Sequence, residues 1–407
     1  MNYLLNLREV TYALSEALDY VGIDDMMHGK RVAYMSAEVA KVLGWDSERI
    51  DNIIMMGMLH DCGVSSSDVH HHLVTELDWD NSNAHCVRGE KLLGKVFAFQ
   101  EYSQTILFHH THWDKFPSDI DSRTKEDANL IYLTDRVDAL RVQVGSNTQH
   151  NWQDIRQIVK KFSGEMFSPE LVDAFLQVSA SDSFWYFFDT SSLLSYFDEW
   201  TNAGVAKNIS FEYVKAIAMM FSDIVDAKSI FTSKHTYGVA SVSRCLARLC
   251  GLDELQQNAT ELAGFFHDLG KLRVADAILN KVGALDEEES TQMHRHGFDS
   301  NAILRKIKGF QEIAKIASMH HETLDSKGYP YNLSADQIPI EARILAVADI
   351  FQALVQDRPY RERLSPEAAL SILESMRDHS KLDASVVKIL SQNLDVCYAM
   401  AVCLEDV

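Results

Sequence analysis

The chain has 407 residues, enough for two domains and for a core that needs no disulfide staples. Hydrophobic residues make up 46% and charged residues 24%, which excludes disordered, collagen-like and low-complexity classes. Lys and Arg number 38 against 59 Asp and Glu, and the net charge of −21 disfavours non-specific DNA binding and anionic membrane surfaces.

Met1-Asn2-Tyr3-Leu4 lacks a charged leader region, and Arg8 and Glu9 follow soon after, so a signal peptide is not expected. Val32 to Leu43 places Val32, Met35, Val39, Val42 and Leu43 on one helical face. Ser168-Pro169-Glu170 has the pattern of a helix start: N-cap, proline at the first position, first-turn acid. The aromatic stretch Phe184-Trp185-Tyr186-Phe187-Phe188 and the segment to Gly204 read as the junction between two halves, with no Gly/Ser linker. Ala216–Phe221 is apolar but far short of the ~20 residues that span a bilayer. Leu252 to Leu269 predicts a helix opened by Asp253 and carrying Leu255, Leu262, Phe265 and Phe266. Ser365-Pro366-Glu367 repeats the helix-start pattern. No hairpin signal and no Gly-rich phosphate loop is present, so the fold class is all-α. Cys62, Cys86, Cys245, Cys250, Cys397 and Cys403 form no Cys-x-x-Cys pair and read as reduced thiols of a cytosolic protein.

The histidines carry an internal repeat. His60-Asp61 and His267-Asp268 are the two His-Asp dipeptides, and His28 and His235 each lie 32 residues before one of them. His85 and His296 follow, then His109-His110 and His320-His321, each 24 residues on. Asp135 and Asp349 close the sets, so 10 of the 17 histidines share the doubled register. This predicts two tandem helical-bundle domains, 1–200 and 201–407. Outside the register, His70-His71-His72 read as a solvated loop, and His112, His150, His294 and His379 as ordinary polar positions.

Histidines and aspartates spread this far apart converge when each sits on a different helix of a bundle. Imidazole and carboxylate together suit divalent iron, manganese, nickel or zinc. Adjacent His and Asp side chains can address two ions, with the carboxylate bridging them, and two ions roughly 3.5–4 Å apart clamp a phosphoryl group.

The second half then resembles the HD-GYP domain, a branch of the HD phosphohydrolase superfamily. The matching segments are His267-Asp268-Leu269-Gly270-Lys271, Met293-His294-Arg295-His296, His320-His321-Glu322, Gly328-Tyr329-Pro330, Ala348-Asp349 and Arg358-Pro359-Tyr360-Arg361. Members hydrolyse cyclic dinucleotides. The tandem layout is similar to Vibrio members that act on 3′3′-cyclic GMP-AMP, although the motifs leave that substrate and cyclic di-GMP both open.

The resemblance implies a metal site of His235, His267, Asp268, His296, His320, His321 and Asp349, holding two divalent ions with Asp268 bridging. It implies a catalytic Lys271 beside the scissile phosphate and phosphate contacts from Arg358 and Arg361. Gly328 and Tyr329 would lie at the pocket mouth. The product would be a linear 5′-phosphorylated dinucleotide, formed by in-line attack of an activated water. A glutamate found in three-metal members is replaced by Phe231, and an aspartate common three residues after the last ligand is Gln352.

The first half keeps His28, His60, Asp61, His85, His109, His110 and Asp135 but has Val64 at the lysine position, Lys115-Phe116-Pro117 at the Gly-Tyr-Pro position and no Arg-Pro-Tyr-Arg. This implies a degenerate domain that still holds metal. Asp24 reads as a solvated helix-end charge. Other readings are a different HD nucleotide hydrolase and an inactive cyclic-dinucleotide-binding regulator. A monomer and a homodimer are both compatible with the sequence.

Overall fold

The computed structural model describes residues 2–21, 27–79, 82–228, 235–357 and 362–402. Helices dominate it, as the periodicity predicts. The chain divides into two compact units, one spanning Asn6–Ala206 and the other taking the remaining described residues, including the N-terminal strand. Among the described residues the one sheet is the antiparallel pair Asn2–Leu5 and Lys207–Ser210, with Tyr3 opposite Ile209. These strands share no turn, so no local hairpin signal marks them.

In the first unit the helix predicted from Val32 runs His28–Val42 and buries Val32, Met35 and Val39. It packs on Ser47–Leu59, which is capped by the Asp46 side chain accepting from Arg49 N at 2.9 Å. The two backbones meet at Gly57, where a Cβ would lie 2.8 Å from Ala33 Cα. The aromatic stretch assigned to the junction lies within this unit, and two of its residues enter the core. Phe184 and Trp185 are buried, and Phe184 meets Tyr34 at a tilt and Phe175 edge-on. Burial of such a ring is worth about 1.5–3 kcal/mol, which draws it into the nearest core.

The second unit repeats the arrangement. His235–Leu249 packs on Glu254–Phe266, and a Cβ on Gly264 would lie 2.7 Å from Ala240 Cα. Asp253 caps the second of these helices in a reciprocal capping box with Gln256. Leu262, Phe265 and Phe266 are buried, while Leu255 in the first turn is exposed. The helix ends at Phe266, before the predicted Leu269, so His267 and Asp268 fall in the turn that follows. Ile340–Val355 carries Asp349 and packs through Ile344, Val347 and Phe351 into a core with Val242, Leu246, Leu373 and Leu390. Among the described residues no helix is long and apolar enough to cross a membrane.

Candidate metal centres

In the second unit each metal-ligand candidate sits at a helix end or inside a core helix. His235 and His296 open His235–Leu249 and His296–Leu304. His267 and Asp268 follow Glu254–Phe266, His320 and His321 follow Gln311–Ser318, and Asp349 lies within Ile340–Val355. His235 Nε2 and His267 Nε2 lie 3.2 and 3.9 Å from Asp349 Oδ1. His267 Nε2 lies 3.3 Å from Asp268 Oδ2, and His296 Nε2 and His320 Nε2 lie 3.7 and 4.0 Å from Asp268 Oδ1. The ligand atoms of His235, His267 and Asp268 lie within 4.8 Å of one another, and so do those of His296, His320 and His321. Asp268 thus stands between two clusters with one oxygen toward each, the placement a bridging carboxylate needs.

The imidazoles are oriented by the backbone. His267, His296 and His320 donate Nδ1–H to the carbonyls of Gly264, Met293 and Ala317, each three residues earlier, at 2.7–2.8 Å. A carbonyl only accepts, so Nδ1 holds the proton and the Nε2 lone pair faces the centre. His235 Nδ1 is instead held by the side chain of Gln352 at 2.6 Å.

The electrostatics favour the ligating state at His296, His320 and His321, whereas Asp268 and Asp349 raise His267 despite its burial. Burial lowers His296 to about 4 and His321 to about 3, and pushes His320 well below the ordinary histidine value. Burial alone would raise Asp268, but His267 and Lys271 hold it well below the ordinary carboxylate range. Lys271 Nζ donates to Asp268 Oδ2 at 2.5 Å, so the lysine is at the centre, carried by a short 3₁₀ segment. Neutral imidazoles and ionised carboxylates are the forms that bind metal.

The first unit repeats the convergence. Asp61 Oδ1 lies 3.4 Å from His85 Nε2, and Asp61 Oδ2 lies 3.5 and 3.7 Å from His60 and His28 Nε2. Asp135 Oδ1 lies 3.4 Å from His28 Nε2, and its Oδ2 lies 3.6 Å from His110 Nε2. His60 and His109 again give Nδ1–H to backbone carbonyls, those of Gly57 and Ile106. Three features differ. His28 Nδ1 is held by a carboxylate, Asp138, at 2.8 Å. Asp135 Oδ2 is paired with the buried Arg136 at 2.7 Å. Val64 is buried at the lysine position.

Asp61 Oδ1 and Oδ2, His110 Nε2, His267 Nε2 and Asp268 Oδ1 are buried and have no hydrogen-bond partner. A buried polar atom left unpaired costs about 1–3 kcal/mol. Converging orphaned donor atoms of imidazole and carboxylate type fit divalent transition-metal ions in both units.

Arg358, Arg361, Phe231 and Asp24 lie outside the described residues. Gly328, expected at the pocket mouth, is buried: a Cβ would lie 2.4 Å from Glu322 Cα and 2.3 Å from Thr323 N. It lets the loop close on the residues after His321. Tyr329 lies beside the centre, its ring 4.7 Å from that of His321.

Three residues gain a place that sequence reading did not give them. His294, read as an ordinary polar position, stacks on Tyr329 at 3.8 Å and 13°. Buried Glu322 accepts from Tyr331 N at 2.7 Å and Leu333 N at 3.0 Å, which fixes the Gly-Tyr-Pro loop. His70, read as solvated, is buried in the helix Ser67–Thr75 and lines a cavity with His28, His60 and Asp61. Its three-residue spacing from buried Leu73 was the available signal.

Comparison with known proteins agrees with this layout. The HD domain family matches residues 26–140 and, through a second description of the HD domain, residues 219–386. The 3′3′-cGAMP-specific phosphodiesterase 1 of Vibrio cholerae is 34% identical over 98% of this chain and 94% of its own length. The cyclic di-GMP phosphodiesterase response regulator RpfG of Xanthomonas campestris is 39% identical over 36% of this chain and 39% of its own. A crystal structure of a cyclic GMP-AMP phosphodiesterase of V. cholerae (V-cGAP3) shares the fold, with a TM-score of 0.66, 22% identity, and coverage of 97% of this chain and 99% of that one.

Proposed function

The chain belongs to the HD-domain family of cyclic-dinucleotide phosphodiesterases, and on that premise we propose that its second unit opens a cyclic dinucleotide to a linear 5′-phosphorylated product. The observation that carries this is Asp268, which faces His267 with one oxygen and His296 with the other while Lys271 donates to it. Two divalent ions, when bound, supply Lewis acidity and an activated water for attack on phosphorus. His235, His267 and Asp349 would hold one of them, and His296, His320 and His321 the other, with Asp268 shared. Iron or manganese is the pair we favour, and nickel and zinc accept the same donors.

Lys271 places a cation at the reacting centre of a strongly acidic chain, where it offsets charge developing on the phosphate or protonates the leaving 3′-oxygen. Tyr329, stacked on His294, lies beside the same place and would contact the substrate there. Arg358 and Arg361 would grip the phosphates. The V. cholerae relative with 34% identity supports 3′3′-cyclic GMP-AMP as substrate, and the Xanthomonas relative supports cyclic di-GMP as the second candidate. The first unit would hold metal in a structural or regulatory role, since Val64 replaces the lysine. The free cysteines Cys62, Cys86, Cys245, Cys250 and Cys397 support a cytoplasmic location.

The test is product chromatography. The full chain, with Mn²⁺ or anaerobic Fe²⁺, is given 3′3′-cyclic GMP-AMP, cyclic di-GMP and cyclic di-AMP separately. Linear product that disappears in Asp268→Ala and is still formed by Asp61→Ala supports the assignment. Intact rings with every metal overturn it.

A further inference from the structure

Cys86 directly follows His85, at the place where the second unit has Gly297 after His296. Gly297 has no room for a side chain: a Cβ would lie 2.9 Å from Ser318 O and 3.3 Å from Pro330 Cδ. Pro330 belongs to the Gly-Tyr-Pro loop, which the first unit replaces with Lys115-Phe116-Pro117.

The thiol points at the metal-ligand cluster. Cys86 is 1% exposed, and its Sγ lies 3.8 Å from His85 Nε2. That nitrogen in turn lies 3.1 Å from His109 Nε2 and 3.4 Å from Asp61 Oδ1. The ligand atoms of His85, Cys86 and His109 all lie within 4.8 Å of one another. Two donors of one tetrahedral ion, bound at about 2.0–2.1 Å through nitrogen and about 2.3 Å through sulfur, stand roughly 3.3–3.6 Å apart. Both oxygens of Asp61 are buried beside this cluster without a hydrogen bond, which points independently to a cation there.

We propose that the first unit binds a divalent ion through the Cys86 thiolate together with His85, His109 and Asp61. The centre is then a sulfur-containing site, distinct in chemistry from the nitrogen–oxygen centre of the second unit. This rests on the reading that the first unit holds metal at all. Binding forms a metal–sulfur bond and breaks S–H; the proton, directed in this structure at Ser82 O 3.4 Å away, leaves to water. A soft sulfur donor favours zinc over iron and manganese relative to the second unit. One chain would therefore carry a firmly held zinc-type ion in its first half and a more exchangeable pair in its second.

The full chain, stripped with a chelator and refilled with Co²⁺ alone, tests this. Thiolate ligation gives Co²⁺ an intense near-ultraviolet charge-transfer absorption that imidazole and carboxylate do not. Neither candidate metal group found among the described residues of the second unit contains a cysteine, so the band reports on the first. The expected result is a band in the unsubstituted chain that is lost in Cys86→Ser and in Asp61→Ala and kept in Asp268→Ala. The unsubstituted chain needs no variant to fold, and far-ultraviolet circular dichroism checks the folding of the others. If Asp61→Ala lowers the cobalt content but no band is ever seen, the first unit holds metal and the thiolate assignment is overturned. A band that survives Cys86→Ser overturns it as well. Cobalt content unchanged by Asp61→Ala overturns the metal reading itself.

Discussion

Gln352 Oε1 accepts the Nδ1 proton of His235 at 2.6 Å. The first unit gives the same task to a carboxylate, Asp138, which holds His28 at 2.8 Å. An amide orients the ring without adding charge, whereas a carboxylate also strengthens the imidazole as a donor. Among the described residues the other imidazoles with a bonded Nδ1 in either centre lean on backbone carbonyls. Position 352 is therefore where a side chain controls the second centre.

Replacing Gln352 by Ala should weaken metal binding at the His235 cluster about 10–100-fold, the usual cost of removing such an orienting partner. Gln352→Asp, which imitates the first unit, should recover much of the loss. Competition against a chelating dye measures both, and an alanine variant with unaltered affinity contradicts the role given to this residue.

Lys271→Met should lower turnover about 10²–10³-fold while the metal content stays near that of the unsubstituted chain. The Lys271 ammonium contacts Asp268 Oδ2 at 2.5 Å without being a metal ligand. Metal analysis alongside steady-state kinetics separates loss of charge stabilisation from loss of the ions. Equal turnover would remove Lys271 from the mechanism.

Metal should raise thermal stability. Ions at about 100 times their dissociation constant contribute about 2.7 kcal/mol to the folded state. For a unit of this size, each kcal/mol moves the midpoint roughly 2–4 °C. Mn²⁺ should shift the melting curve upward, EDTA should reverse the shift, and an Asp61→Ala/Asp268→Ala double variant should show little of it.

Arg136→Met should destabilise the first unit by about 3–5 kcal/mol, as removal of one partner from a buried ion pair does. Arg136 bonds Asp135 at 2.7 Å and the carbonyls of Leu73 and Glu76 at 2.8 and 2.6 Å. A denaturant titration of the full chain should show the transition of one unit moving to lower concentration. A coincident, unshifted curve would mean that this network contributes little.

The convergence of these histidines and aspartates was legible because helix ends recur at fixed distances along the chain, and a histidine at each end survives as a spacing in the sequence. His28, His60 and Asp61 therefore prefigure His235, His267 and Asp268 without knowledge of a single contact. Fold class was legible for the same reason, through the apolar faces of His28–Val42 and Glu254–Phe266. What composition suggested about His70 failed because a run of three histidines hides which one faces inward. The His294–Tyr329 stack joins residues on different segments, and no local pattern encodes it. Cys86 was visible as a reduced thiol. Its chemistry emerged only when its sulfur could be placed beside His85 Nε2.

The strand Asn2–Leu5 finds its partner only at Lys207–Ser210. A ribosome adding about 5–20 residues per second takes roughly 10–40 s to make the ~200 residues between them. By then all of Asn6–Ala206 has been synthesised, and it can fold while the earlier strand still has no mate. The order of birth runs opposite to the order of chemical importance. The half without the lysine is fully synthesised first, and the half with it can complete its sheet only after Lys207–Ser210 has been made.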